Sequence, residues 1–387
     1  MELCKACAER YSEPLPARKI KPGTACAACG GIFEQIEAAC KEARAGARDA
    51  GLEFDSFRVA STVPGACDAA DTQMIREKGY AKITPIKNDI NRKAGILARK
   101  ITGKRQGAAG RCAILRLNFR TGRHAFQNEN VFVFGRYEKL EVGLSQTKWL
   151  CSWCDGRGCK RCGMSGTRFE DSVHQQIEAG FSHAGIAGSK FHGSGREDVD
   201  VRNIGEGRPF VIELQSPLKK AISLEKAQAM INKAGKVRVR SLVFVSQGMV
   251  EVVKNSRFDK NYHATVALKP APTATDIKKL EALSGATLAQ QTPERVLRRR
   301  SDRTRMKKIF KVRAKISDGK IESDIFAECG TYIKELVSSD NGRTKPSFAS
   351  AIGKAAVCED LVMTGVEDNY MSCLLPPRIW AKAQLPR

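Results

Sequence analysis

The sequence predicts an α+β protein of two or three domains, and three observations carry that reading. Apolar residues recur at three- and four-residue spacing in two N-terminal segments, later segments alternate with period two, and eight of fourteen cysteines fall in close pairs. The first helix is expected over about 31–56 (IFEQIEAACKEARAGARDAGLEF), where Ile32, Ile36, Ala39, Cys40 and Ala43 share a face. KNDINRKAGILARKITGKR predicts a second, with Ile90, Ala94, Leu97 and Ile101 inward and Lys87, Arg92, Lys93, Arg99, Lys100 and Lys104 around the rest. AILRLNF and NVFVFGRY read as short strands, the latter ending in a glycine turn.

The 387 residues carry 66 Lys and Arg against 42 Asp and Glu, a formal net charge of +24. Such a charge costs self-repulsion, and its usual partner is a polyanion, either nucleic acid or an anionic membrane surface. A charged fraction of 28% and a mean hydropathy of −0.34 exclude global disorder. With no apolar run near the ~18 residues of a membrane span and a charged start, MELCKACAER, the expected location is cytoplasmic with no membrane partner.

In such a chain, CxxC pairs point to metal ligation rather than disulfides. Cys4 and Cys7 with Cys26 and Cys29 give two knuckles, the full tetrahedral thiolate shell of a structural zinc with no position left for catalytic water. CSWCDGRGCKRC offers a second set, Cys151, Cys154, Cys159 and Cys162, whose short spacer makes a single ion geometrically tight; a second zinc is possible there. The isolated Cys40, Cys67, Cys112, Cys329, Cys358 and Cys373 read as buried small apolar residues. The domain boundary is expected beside the second cluster, giving 1–150 and 151–387.

Three later segments carry chemistry. In GSGREDVDVRNIGEGRPFVIEL, period two places Asp198, Asp200 and Arg202 on one strand face, and Gly205-Glu206-Gly207 is expected to turn a hairpin into the next strand. Glu197, Asp198 and Asp200 suit either Mg²⁺-dependent RNA cleavage or a single carboxylate acting as nucleophile or base. KNYHATVAL puts Tyr262, Ala264, Val266 and Leu268 on one face, with an aromatic at the strand entrance able to stack on a base. In residues 295–315, 11 of 21 are Lys or Arg, interrupted by Val296, Ile309, Phe310 and Val312, which predicts a structured phosphate-contacting loop and strand.

GREDVDVRxxGxGRPFVIE, KxYxA, TPxRV followed by RR and D, TYIKE and GRTxPS, in this order, together resemble the archaeal and eukaryotic tRNA pseudouridine synthases that act on T-arm uridines 54 and 55. The resemblance spans about 130–365. It implies a catalytic domain on a mixed, largely antiparallel sheet behind a zinc-bearing, THUMP-like RNA-binding module, with tRNA as partner, no obligatory protein partner and no catalytic cofactor. It further implies Asp198 as the catalytic aspartate, Lys334 as its cationic partner, and Tyr262, Tyr332, Ile333 and Leu361 around the flipped uracil, with Arg295, Arg299 and Arg300 in the basic loop. Arg298 stands where the family commonly has His. A metal-dependent ribonuclease and a non-catalytic zinc RNA-binding protein are the alternative readings.

Overall fold

The computed structural model describes residues 3–11, 26–78, 83–108, 110–298 and 300–368; Arg299 and Cys373 lie outside them. The chain divides into two compact units, one of residues 1–130 with 183–187 and 215–222, the other holding the rest. The division thus falls at Asn130, ahead of the expected 150, because the strand that follows belongs to the core of the second unit's sheet.

In the first unit, α1 (Lys5–Tyr11), α2 (Ile32–Asp49), β1 (Ser56–Thr62), α3 (Gly65–Lys78), α4 (Ile86–Thr102), β2 (Arg105–Gln106), β3 (Cys112–Asn118) and β4 (Arg123–Asn128) follow in order. The strands lie as β2-β1-β3-β4, with β1 parallel to β2 and β3, and β3 antiparallel to β4. The two predicted helices are α2 and α4, and they bury Ile32, Ile36, Ala39, Cys40, Ala43, Ile90 and Ala94 in one core with Phe57 and Leu115. Each large apolar side chain so buried contributes roughly 1.5–3 kcal/mol. The first helix stops at Asp49, short of the expected 56, where Leu52 N–H turns back to the Ala47 carbonyl at 2.8 Å.

The second unit contains β5 (Val131–Lys139), α5 (Val173–Gly180), β6 (Gly188–Gly193), β7 (Arg202–Gln215), α6 (Leu224–Lys233), β8 (Val237–Val245), α7 (Gly248–Asn255), β9 (Asp259–Lys269), α8 (Ala274–Glu281), β10 (Thr287–Gln291), β11 (Thr304–Ser317), β12 (Lys320–Ala327), α9 (Ile333–Ser338), β13 (Thr344–Lys345), α10 (Phe348–Ile352) and β14 (Ala355–Glu367). One sheet runs β13-β10-β11-β12-β9-β14-β7-β5-β8, with β6 paired to β7. It is mixed and largely antiparallel: β14 meets β7 in parallel through Val362 opposite Arg202 and Met363 opposite Asn203, and antiparallel β9 flanks β14 on its other side. The last described strand therefore sits in the middle of the sheet and joins its halves.

Three local expectations are corrected. No turn follows Phe134, since β5 continues through Gly135 to Lys139; a Cβ at Gly135 would lie 2.6 Å from the Leu242 side chain and 2.9 Å from the Phe210 ring. There is no hairpin at Gly205-Glu206-Gly207: β7 is one strand, and residues 204–207 bulge out, with Asn203 opposite Lys139 and Arg208 opposite Tyr137. Gly205 has φ +81, and a Cβ there would meet the Thr364 carbonyl oxygen at 2.4 Å. Finally, Asp198–Val201 is a turn closed by Val201 N–H on the Asp198 carbonyl (3.2 Å), and the alternation read as a strand begins as one only at Arg202.

Candidate active site

The site is a cavity of about 400 Å³ in the second unit, lined by the Asp198 turn, β9, the loop residues Arg295, Val296 and Arg300, the start of α9 and β14. The Asp198 turn lacks ladder hydrogen bonds of its own and is held instead by Lys139. This lysine is fully buried at the end of β5, and its ammonium donates to the carbonyls of Leu144 (3.0 Å), Asp198 (2.8 Å) and Val199 (3.0 Å). Desolvation pulls the Lys139 pKa below its ordinary value, with Glu197, Asp200 and Asp198 opposing that shift. Three backbone acceptors around one buried donor fix the path of the turn.

The Asp198 carboxylate is 41% exposed at the mouth of the cavity, with Oδ2 2.7 Å from Arg295 Nη1. Arg295 is in turn held by buried Glu335, Nε to Oε1 at 2.6 Å and Nη2 to Oε2 at 3.4 Å. Burial works against the Arg295 charge, but the carboxylates of Glu335 and Asp198 more than offset it and raise its pKa. The predicted pairing of Lys334 with Asp198 is corrected here, because the Lys334 ammonium binds Asp200. The turn points Asp198 and Asp200 at different elements, and each carboxylate takes the nearest cation. Burial tends to raise the Asp200 pKa, yet Lys334 holds it below the ordinary value.

Tyr262 stands on β9 beside the cavity, its phenol pushed up to about 12 mainly by desolvation, so it is a neutral aromatic face. Ile333 and Leu361 are buried walls that pack into the same core as Ala264 and Val266. The Tyr332 backbone is clamped by buried Gln290, whose Oε1 accepts from Tyr332 N–H (2.8 Å) and whose Nε2 donates to its carbonyl (3.0 Å). The Tyr332 hydroxyl accepts from Arg300 at 3.2 Å. Asp198, Lys334, Tyr262, Tyr332, Ile333, Leu361, Arg295 and Arg300 therefore line one cavity. Cys329 also lines it and is half-buried, as is Cys358, whereas Cys40, Cys67 and Cys112 are buried as expected.

Glu197 is turned away from its acidic neighbours. Its carboxylate accepts from the Tyr137 hydroxyl (2.8 Å) and Gln146 Nε2 (3.1 Å) and pairs with Arg208 Nε (3.2 Å), with all four side chains buried. The acidic triad needed by the ribonuclease reading does not assemble, and among the described residues the groups able to hold a metal are the two cysteine clusters. Lys139, Glu335, Gln290 and Arg208 were not singled out from sequence. The available signal was a charged residue inside an apolar run, as in VFVFGRYEKL and YIKELV.

Four sulfurs 2.3 Å from a tetrahedral zinc lie about 3.8 Å apart. In each cluster the Sγ atoms all fall within 4.8 Å of one another; Cys4 to Cys29 is 3.6 Å, and in the second cluster the separations include 3.7, 3.9 and 4.0 Å. Both donor sets fit the ion, and the short spacer of the second does not prevent it. Cys162 Sγ accepts from the N–H groups of Cys159 (3.2 Å) and Gly166 (3.3 Å), and the first of these does most to lower its pKa to about 6, favouring thiolate. No described helix is long and apolar enough to cross a membrane.

Residues 132–367 match the family described as Pus10, C-terminal. A Methanocaldococcus jannaschii protein named tRNA pseudouridine synthase Pus10 is 40% identical over 262 residues, which are 67% of this chain and 58% of that protein. Proteins of the same name from Methanothermobacter marburgensis and Archaeoglobus fulgidus are 38% and 35% identical, covering 87% and 95% of this chain and 84% and 100% of their own lengths. The chain in the crystal structure of a Cbf5-Nop10-Gar1 complex is 17% identical at a TM-score of 0.33, covering 55% of this chain and 56% of its own. With the family match spanning more than half of its length and relatives above 30% identity spanning nearly all of it, the chain belongs to the Pus10 family.

Proposed function

We propose that this protein isomerises uridine to pseudouridine in tRNA, at position 54, 55 or both of the T-arm, with Asp198 as the group that acts on the sugar. The observation that carries the reading is an exposed carboxylate at the mouth of a cavity walled by Tyr262, Ile333 and Leu361, with a cation 2.7 Å away. A uridine inside a folded arm must leave its stack at a cost of a few kcal/mol, and an aromatic face with apolar walls offsets that cost. Asp198 then promotes cleavage of the bond from C1′ to N1, either by adding at C1′ or by taking the 2′ proton. The same walls hold the freed uracil while it rotates, C5 bonds to C1′, C5 loses its proton and N1 gains one. Atoms and electrons balance without a redox partner.

Arg295 orients Asp198 through their ion pair, while Lys334 through Asp200 braces the far side of the turn. Zinc at each cysteine cluster would be structural, held by Cys4, Cys7, Cys26 and Cys29 and by Cys151, Cys154, Cys159 and Cys162. The first unit would act as the accessory, THUMP-like RNA-binding module, a role supported by Arg92, Lys93, Arg99 and Lys100 on the exposed side of α4. A tRNA substrate implies a cytoplasmic enzyme. The test is unmodified tRNA transcript incubated with protein, with and without EDTA, and mapped by carbodiimide-dependent primer extension. A T-arm stop that survives EDTA and is lost with Asp198→Asn supports the reading; shortened RNA, or a stop that persists in the variant, refutes it.

A further inference from the structure

The second cysteine cluster carries more than a metal shell. Its loop is closed at the base by Arg168 N–H to the Trp149 carbonyl and Cys151 N–H to the Gly166 carbonyl, both 2.9 Å, so residues 149–168 form one projecting knuckle. On it Trp153 is 70% exposed, and the Arg161 guanidinium carbon lies 3.6 Å from its ring centre. The row continues inward: Arg168 sits 5.6 Å from the Trp149 ring and Arg196 4.5 Å from the same ring, and both Trp149 and Arg196 line the active-site cavity. Trp153, Arg161 and Arg168 line a second recess, so alternating guanidinium and indole groups run from the knuckle to the mouth beside Asp198.

We infer that this arginine and tryptophan row is a docking track for the RNA strand that flanks the target uridine. The 70% exposed Trp153 presents a ring on which a base can stack, and a guanidinium on one face leaves the other for that base. Interleaved aromatic faces and fixed cations recognise unstacked nucleotides, with bases on the rings and phosphates on the guanidinium groups. Exposed Lys160 beside Arg161 adds to this positive edge. The knuckle thus gives its metal shell a purpose, holding Trp153 rigidly where a free loop would let it collapse. The inference rests on RNA being the substrate, as proposed above.

The experiment is equilibrium binding of unmodified tRNA transcript to the full chain by filter retention across a salt series. Trp153→Ala is expected to weaken binding about fivefold or more, as loss of one stacked base does. Trp153→Phe should stay within twofold of the parent, and Arg161→Gln, which leaves the indole in place, should reduce the slope of log Kd against log salt by about one. Equal binding by Trp153→Ala and the parent overturns the track, as does a parent that binds no tRNA. The readout stands apart from catalysis: pseudouridine formed by a parent whose Trp153→Ala variant binds equally well leaves the isomerase and removes the track. Weakened binding by that variant with no pseudouridine from the parent does the reverse.

Discussion

Arg295 bridges two carboxylates of opposite character, exposed Asp198 at 2.7 Å and buried Glu335 at 2.6 Å. The buried acid sets the guanidinium's direction and the exposed one receives it. Removing the bridge as Arg295→Met is expected to lower kcat about a hundredfold, with Arg295→Lys recovering only part, since a point charge cannot satisfy both acids through a planar fork. Lys334→Met should cost less than tenfold because its partner is Asp200. Single-turnover pseudouridine formation decides the order, and a Lys334 variant worse than the Arg295 variant would falsify this assignment.

The Lys139 ammonium gathers three carbonyls at one point, two of which, those of Asp198 and Val199, also accept from the backbone N–H groups of Val201 and Gly143. Each such charged hydrogen bond is worth roughly 1.5–3 kcal/mol net. Lys139→Met should therefore lower the unfolding free energy by several kcal/mol and, below the melting transition, lower kcat with KM nearly unchanged. Denaturant melts paired with steady-state kinetics test both halves, and a stable variant with full kcat refutes the positioning role.

Each cysteine cluster offers a complete sulfur shell, so the purified chain should hold two zinc ions, falling to one with either Cys26→Ser or Cys154→Ser. Because Cys26 and Cys29 are buried within the first unit's core, losing that site should also abolish its cooperative melting. Losing the second should leave that melt intact. Atomic emission and calorimetry supply the two measurements.

His263 sits on β9 between Asp324 (Nδ1 to Oδ1, 2.7 Å) and Glu322 (Nε2 to Oε2, 2.8 Å), and these carboxylates, Asp324 foremost, raise its pKa. A folded-state pKa above the ordinary 6.5 means the stabilisation is complete below 6.5 and is lost as pH rises through the elevated value. With more than a third of the ring exposed, the effect is at most about 1 kcal/mol. The wild type should lose more stability than His263→Gln between pH 6 and pH 9; parallel curves would refute the bridge.

Helices α2 and α4 and the inward face of β9 were legible because one rule, apolar spacing, governs each of them. The Asp198 turn was not. Asp-Val-Asp-Val-Arg has a strand's alternation, and only the arrival of Lys139 from β5 makes a turn of it. Nor did the basic loop reveal which of its arginines would meet Asp198. Eleven cations look alike along the chain, and Arg295 is distinguished by Glu335 forty positions later, buried inside a helix that the TYIKE motif marks but does not orient. Similarly, Glu197 shares its composition with its acidic neighbours, and Tyr137 and Arg208 withdraw it.

The placement of β14 has a consequence for synthesis. Emerging from the ribosome in order, the chain can pair β9 with β12 and β5 with β7, but these remain two unattached ribbons until residues 355–367 are free to slide between them. Tyr262 arrives on one ribbon and Asp198 beside the other, so a polypeptide interrupted before the codon for Leu361 would carry both side chains and have no pocket to put a nucleobase in.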